Sequence, residues 1–371
     1  MHRNSSTTAA TSLSSQLGNL ADFKSTYLPA IYSFVFCVGL LTNVAAIWAC
    51  CRRARPWNGL AVYTFNLALA DLLYVTSLPP FIHYYTHGSA WIFGDWLCRA
   101  GRFVFHVNLG GSALFLACVS AHRYAGIVHP LWSRGRLRPG TARAVSVAVW
   151  ALVAILLLPT FHFVREGPAG GDGAAAKTSP PPSPSPSPRD LVKCYDSASD
   201  ADLFVYLPYS VALSVVTFAV PFAVTFACYG FVASTLLGNR SVGAGVRRRS
   251  LALVAVVLLL FSVSFLPYHV TRNLNLASRL YLRRADAAAN RRIYAAYQVC
   301  RGLASLNSCF NPIVYFLARE DVRSSIRRGA IRVAALPRGT PLLGRKTVAV
   351  AVEGGVDDAD KGEEEEECSF V

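Results

Sequence analysis

Charge is scarce in this chain. Only 15% of its 371 residues are Asp, Glu, Lys or Arg, while 53% are hydrophobic. A soluble globular domain carries about 25% charge. A water-soluble protein of this length could not cover its surface with so few charged groups, and a chain this apolar is not disordered throughout. The ten cysteines include no CxxC pair, so zinc-site spacing is missing. Most of them lie inside apolar runs, where Cys acts as a small hydrophobe. No internal repeat is present, and residues 1–24 lack the apolar core of a signal peptide. These absences leave a membrane protein.

A bilayer crossing takes about 20 helical residues. Seven runs qualify: Ser25 to Cys51, about 59–86 with only Asp71 inside, and Phe103 to His122, then Ala144 to Val164, Leu203 to Asn239, Ser250 to Thr271, and about 293–317 with only Arg301 inside. Prolines within them (Pro79, Pro80, Pro159, Pro221, Pro267 and Pro312) fit helices buried in a bundle. The pattern predicts an all-α membrane fold, a seven-helix bundle over 27–318.

Net charge is +15, and it is uneven. The tail 347–371 holds one Lys and nine acids, so the rest of the chain has 35 basic and 12 acidic residues, a net +23. With the N-terminus (1–26) outside, the inner loops 52–58, 124–143 and 240–249 hold three, four and four Lys/Arg. The longer outer loops 162–202 and 274–292 hold four and five, and 87–94 holds none. Positive charge is densest inside, as membrane insertion favours. A basic chain can also bind nucleic acid, but here the Arg residues end apolar runs instead of forming one polar patch. The last outer loop departs from the trend, with Arg279, Arg283, Arg284, Arg291 and Arg292. They read either as tolerated loop charges or as a rim attracting an anion.

Asn4-Ser5-Ser6 is a glycosylation acceptor. The outer-loop insert 165–193 contains PPPSPSPSP at Pro180 to Pro188, an extended segment without packing. Residues 319–333 are expected to form a short amphipathic eighth helix, followed by an acidic cytoplasmic tail over 334–371. The final Ser369-Phe370-Val371 fits the ending that PDZ domains add as an edge strand.

Polar groups inside a bilayer are costly and mark function. Asp71 lies in run 2. Ser112 lies in run 3, which ends in His122-Arg123-Tyr124. Asn307 and Asn311-Pro312-Ile313-Val314-Tyr315 lie in run 7. This ordered set resembles the rhodopsin-like G-protein-coupled receptors over about 27–330. Two positions depart from that family: His122 replaces the usual acid before Arg123, and Phe265 replaces the usual Trp near Pro267. The resemblance implies that Arg123, Tyr124, Asn311, Pro312 and Tyr315 switch the inner face. It also implies a disulfide between Cys98 and Cys194 and a sodium ion at Asp71, Ser112, Asn307 and Asn311.

The outer halves of runs 3, 6 and 7 carry cations. Arg102 and His106 are four apart on one face, His269 and Arg272 are three apart, and Arg301 has Gln298 above it and Ser305 below. No acid lies in those halves. Asp196, Asp200 and Asp202 in the second outer loop are the nearest, and they could form ordinary salt bridges with the arginines. Arg suits phosphate because its planar fork donates two hydrogen bonds, and Tyr84, Tyr294, Tyr297 and Phe105 could offer a face to a base. The segments Cys98-Arg-Ala-Gly-Arg102-Phe-Val-Phe-His106, Cys194-Tyr195-Asp196 and Tyr297-Gln298-Val-Cys-Arg301 are similar to those of the metabotropic purinoceptors. The resemblance implies a plasma-membrane receptor for an extracellular nucleotide, with ligand contacts at Arg102, His106, His269, Arg272, Tyr297, Gln298, Arg301, Ser305, Tyr84 and Asp196. It further implies a Gq-class G protein acting through phospholipase C and calcium, together with arrestin and a receptor kinase. It implies no enzymatic activity and no cofactor beyond the sodium ion. Residues 1–36 lack the N-terminal Cys that this branch commonly ties to the last helix.

Another small anion, a carboxylate metabolite or a lysophospholipid, is the alternative ligand. A retinal protein would need a Lys in run 7, yet Lys24, Lys177, Lys193, Lys346 and Lys361 all lie outside the seven runs. A transporter would show a second half resembling the first.

Overall fold

The computed structural model describes residues 4–53, 57–133, 136–164, 166–168, 192–238, 244–282 and 286–318. The expected eighth helix, the acidic tail with Ser369, Phe370 and Val371, the proline-rich stretch of the insert, Arg283 and Arg284 lie outside these residues. So do the side chains of Asn4 and Tyr315.

Seven long helices dominate the described residues: α1 (Asn4–Arg53), α2 (Gly59–Thr86), α3 (Gly94–Val128), α4 (Pro139–Phe163), α5 (Leu203–Gly238), α6 (Ala244–Tyr281) and α7 (Ala287–Ala318). Six carry an apolar stretch long enough to cross a membrane. The seventh, α7, is 32 residues long, but Arg301, Asn307 and Asn311 lower its hydropathy. The N-terminal segment expected to precede the bundle joins α1 as helix from Asn4.

Prolines set the local departures. Pro79 and Pro80 lack N–H donors, and α2 breaks at Ser77, whose hydroxyl donates back to the Tyr74 carbonyl at 2.7 Å. Wide π-turns at Val215–Ala219 and Phe261–Phe265 precede Pro221 and Pro267. There the proline ring crowds the carbonyl one turn back, and the helix opens to accommodate it.

The helix α3 is the axis, packed against α2, α4 and α5. Of its apolar window 78% is buried, against 33% for α1 and α5, which turn Leu41, Phe204 and Phe226 outward. In water such a face would aggregate, and in a bilayer it meets acyl chains. The helix α1 packs on α2 and α7 through a close approach at Gly39, where a Cβ would stand 2.9 Å from Val75 Cγ2. Gly39→Leu is therefore expected to lower the stability of the solubilised receptor by roughly 1–3 kcal/mol through overpacking. A thermal shift measured in detergent checks this, and an unchanged midpoint would contradict the packing. Over the outer end lies a two-stranded antiparallel ribbon, β1 (Glu166–Pro168) and β2 (Val192–Cys194), with Glu166 opposite Cys194.

Candidate ligand site and inner switch

At the outer end, Cys98 of α3 is bonded to Cys194 of β2, with Cα atoms 5.6 Å apart. The Trp91 N–H donates to the Val192 carbonyl at 2.8 Å. These ties hold the second outer loop across the bundle and place Cys194 and Asp196 beside the arginines.

Arg102 is 2% exposed. Its Nη2 donates to the Cys194 carbonyl (3.2 Å) and the Tyr85 hydroxyl (3.4 Å), and its guanidinium lies 4.6 Å over the Phe81 ring. Arg272 donates to the Tyr206 hydroxyl at 2.9 Å. Arg301 pairs with Asp196 at 2.8 Å and sits 5.7 Å over Phe105, and the same carboxylate oxygen accepts from the Tyr297 hydroxyl at 3.3 Å. Phe105 meets Tyr268 edge-on at 5.6 Å, and Tyr268 is 6.0 Å from Tyr297. This chain of contacts brings α3, α6, α7 and the loop to one place.

His106 and His269 lie between the arginines. Arg102, Arg272 and His269 are all within electrostatic range of His106. His106 Nδ1 donates to the Arg102 carbonyl at 2.8 Å, while His269 Nδ1 is 3.1 Å from Ser214 Oγ. In each imidazole Nε2 is buried without a hydrogen-bond partner. The same holds for Nε of Arg102 and Arg301 and for both amide atoms of Gln298, a residue only 1% exposed. So many orphaned polar atoms in one place call for partners that the described residues do not provide.

Two residues that the sequence places in the site have other company. Ser305 Oγ is shared with the Tyr74 hydroxyl (2.7 Å) and donates to the Arg301 carbonyl (3.0 Å), so it braces α7 against α2. Tyr84 is buried against Tyr85 and Trp91. The loop acids divide between the two roles foreseen for them. Asp196 enters the site, while Asp200 pairs with Arg279 at the rim at 2.7 Å.

Lys24 was not foreseen. It precedes the first apolar run, yet its Nζ donates to Tyr294 on α7 (3.3 Å) and lies 5.2 Å over the Tyr85 ring. With the Tyr27 hydroxyl donating to the Val299 carbonyl (2.9 Å), it fastens α1 to α7, and residues 1–36 offer no Cys for a bridge there. Lys193 in β2 shows the resulting potential. Burial, and then Lys24, push its ammonium pKa below the usual lysine range. Among the described residues, Arg102, Arg272, Arg301 and Lys24 thus gather about one acid in the site, Asp196.

Deeper in the bundle, Asp71 accepts from Asn108 Nδ2 (2.7 Å) and from Asn311 Nδ2 at both oxygens (3.2 and 2.9 Å). Ser112 Oγ is 3.5 Å from both amides. The side-chain oxygens of Asn307 and Asn311 are buried without partners, so this donor set fits a hard cation.

At the inner end, His122 lies against α2, edge-on to Tyr63 at 6.0 Å, where only a glycine fits: a Cβ at Gly59 would stand 2.6 Å from His122 Cε1. Packing on α2 thus occupies the position where the family has an acid. Tyr124 OH is 3.0 Å from His129 Nε2. Pro312 lies within α7.

Residues 42–315 match the 7 transmembrane receptor (rhodopsin family). The chain is 45% identical to the Y-type purinoceptor 1 of Gallus gallus over 307 residues, covering 82% of this chain and 80% of that one. It is 44% identical to the Homo sapiens Y-type purinoceptor 1, covering 82% and 78%. To the Y-type purinoceptor 4 of Xenopus laevis it is 37% identical over 320 residues, covering 85% of this chain and 56% of the other. The protein is therefore a multi-pass membrane receptor and not an enzyme, and it belongs to the rhodopsin family of seven-transmembrane receptors, in its Y-type purinoceptor group.

Proposed function

We propose that the protein is a plasma-membrane receptor, N-terminus outside, activated by an extracellular nucleotide gripped by Arg102, Arg272 and Arg301. The observation that carries this reading is the burial of three arginines, with one lysine beside them, around a single carboxylate. An arginine in a membrane span costs about 2.5–3.5 kcal/mol on insertion scales, and three clustered ones are unfavourable without anions. Asp196 stands in for one such anion on Arg301. A phosphate chain would replace it there and meet Arg102 and Arg272 together. The unpartnered Nε2 atoms of His106 and His269 would assist, and Tyr297 and Gln298 would contact the base. A single carboxylate could satisfy only one of these forks, which favours a ligand with several phosphates.

Binding would favour the active arrangement of helices and open an inner crevice for the G protein, with Arg123, Tyr124 and the Asn311–Tyr315 segment forming the switch. Family resemblance supports a Gq-class partner, phospholipase C and calcium, and later arrestin and a receptor kinase. It also supports a sodium ion held by Asp71, Ser112, Asn307 and Asn311 in the inactive arrangement. A PDZ protein would read Ser369-Phe370-Val371.

The test is a calcium assay with a nucleotide panel in cells lacking native purinoceptors, with phospholipase C blocked in a parallel arm. A potent response to one or more nucleotides that the block abolishes is expected. Silence across the panel at normal surface display would overturn the ligand. A response abolished by pertussis toxin instead would move coupling to the Gi class.

A further inference from the structure

Near the starts of α4 and α6, two hydroxyls follow arginines in the sequence. Thr141 stands three residues after Arg138 and five after Arg136, and Ser250 comes directly after Arg247-Arg248-Arg249. Kinases select substrates by charge pattern, and arginines ahead of a hydroxyl fit a substrate groove lined with carboxylates. By sequence the two positions are equivalent, and the fold separates them. Ser250 is 7% exposed and lies well inside α6, which begins at Ala244. Thr141 is exposed in the first turn of α4, which begins at Pro139, and residues 136–138 before it are not helical. A kinase takes its hydroxyl from chain that can open into an extended segment. The end of a helix opens at little cost, and the buried interior of one does not.

The surroundings of Thr141 lack an anion. Arg136, Arg138 and Arg143 are exposed, with the Arg136 guanidinium 4.7 Å over the Trp132 ring. Among the described residues none of the three pairs with an acid. The first turn of α4 carries no acidic residue, and its N-cap, Arg138, provides no side-chain cap. A phosphate on Thr141 would answer both the arginines and the positive end of the helix. The next residue, Ala142, is 2% exposed and packs on the start of α2 beside His122. A Cβ at Gly59 would stand 3.4 Å from Ala142 Cβ and 2.6 Å from His122 Cε1. His122 directly precedes Arg123, so Thr141 adjoins the packing that seats the inner switch.

We propose that Thr141 is the phosphoacceptor of an arginine-directed Ser/Thr kinase, and that its phosphate restrains the inner switch. The proposal rests on the reading that loop 124–143 is cytoplasmic, where ATP and kinases are found. In the transfer, the bond from the γ-phosphorus of ATP to the bridging oxygen breaks and a bond from that phosphorus to Thr141 Oγ1 forms. ADP leaves, and the hydroxyl proton passes to the kinase's catalytic carboxylate. The phosphate then draws Arg136 and Arg138 onto the start of α4. This tightens α4 on α2, with His122 held between them, and Arg123 is released less readily.

The experiment incubates the full chain in lipid nanodiscs with ATP and purified protein kinase B, which selects arginines three and five residues before the hydroxyl. Phosphopeptides are read by mass spectrometry. Phosphate on Thr141 and none on Ser250 is expected. Thr141→Ser should keep the label and Thr141→Ala should lose it. Arg138→Ala should slow labelling at least about tenfold, through loss of a charge-assisted bond to the kinase. Both side chains are exposed, so these variants keep the fold, and their surface display should equal that of the wild type. No phosphate on Thr141, or labelling untouched by Arg138→Ala, overturns the site. In cells, stimulating the kinase should lower nucleotide potency about fivefold or more in the wild type and not in Thr141→Ala. An equal fall in both overturns the restraint. The nanodisc arm uses no nucleotide and exposes both faces of the membrane, so its failure is distinguishable from failure of the proposed ligand or orientation.

Discussion

Arg301→Ala and Arg272→Ala are each expected to move the nucleotide concentration–response curve rightward by about thirtyfold or more, with surface display intact. Both guanidiniums are nearly fully buried, at 3% and 4% exposure. Removing one partner of a buried, charge-assisted contact typically costs roughly 2–5 kcal/mol, and ~1.4 kcal/mol is a decade of affinity. Arg301→Ala also strands Asp196, which would then repel an incoming phosphate. Arg→Lys should rescue only partly, because the ammonium keeps the charge and loses the fork. Arg279→Ala is the internal comparison. Its side chain is partly exposed and already paired with Asp200, and such pairs contribute about 0–1 kcal/mol. If Arg279→Ala costs as much potency as Arg301→Ala, the ligand sits at the rim. If Arg301→Ala changes nothing, the ligand is not a nucleotide.

The second large effect concerns the bridge. Cys98→Ser or Cys194→Ser should sharply reduce surface display and response, while Cys118→Ser, half-buried in α3, should be mild. Loss of a native disulfide typically costs roughly 2–5 kcal/mol. Here the damage extends past stability. The Cys194 carbonyl accepts from Arg102, and Asp196 is two residues further on. Releasing the loop therefore removes partners from two of the three arginines. Quantitative flow cytometry with calcium imaging separates display from potency. Equal damage from all three substitutions would show that the bridge has no special role.

Much of this site is legible in the sequence, because its cations lie inside apolar runs where any charge stands out. Spacing alone puts Arg102 with His106 and His269 with Arg272. Spacing does not name partners across the bundle. Ser305 has the right face of α7, yet Tyr74 from α2 takes its hydroxyl. Asn108 looks like an ordinary polar residue of α3, and only the packing of α2 on α3 shows its amide on Asp71. Lys24 escapes because an apolar run marks where the bilayer begins and not where the helix does. The helix α1 starts well before the run, and this carries Lys24 to the mouth. Tyr206 and Tyr85, the acceptors for Arg272 and Arg102, are hidden for a related reason: tyrosines are common in such runs, and nothing local distinguishes these two.

The wide turn at Phe261–Phe265 has a consequence for the angular phase of α6. One residue advances an α-helix by about 100°, and a π-turn absorbs one residue without that advance. The inner segment Ala244–Leu260 and the outer segment Leu266–Tyr281 therefore do not share one helical wheel. His269 and Arg272 point at the ligand site because the turn resets their azimuth. Deleting a single residue such as Val263 would let the turn relax to ordinary α-helix and keep every backbone hydrogen bond. Because the extra residue carries no advance, the outer segment would keep its bearing; closing the turn with every residue kept would instead swing it by roughly a quarter-turn and carry both side chains toward the lipid while the cytoplasmic half stayed in place. The bearing of the ligand-facing half relative to the signalling half is thus written in one extra residue.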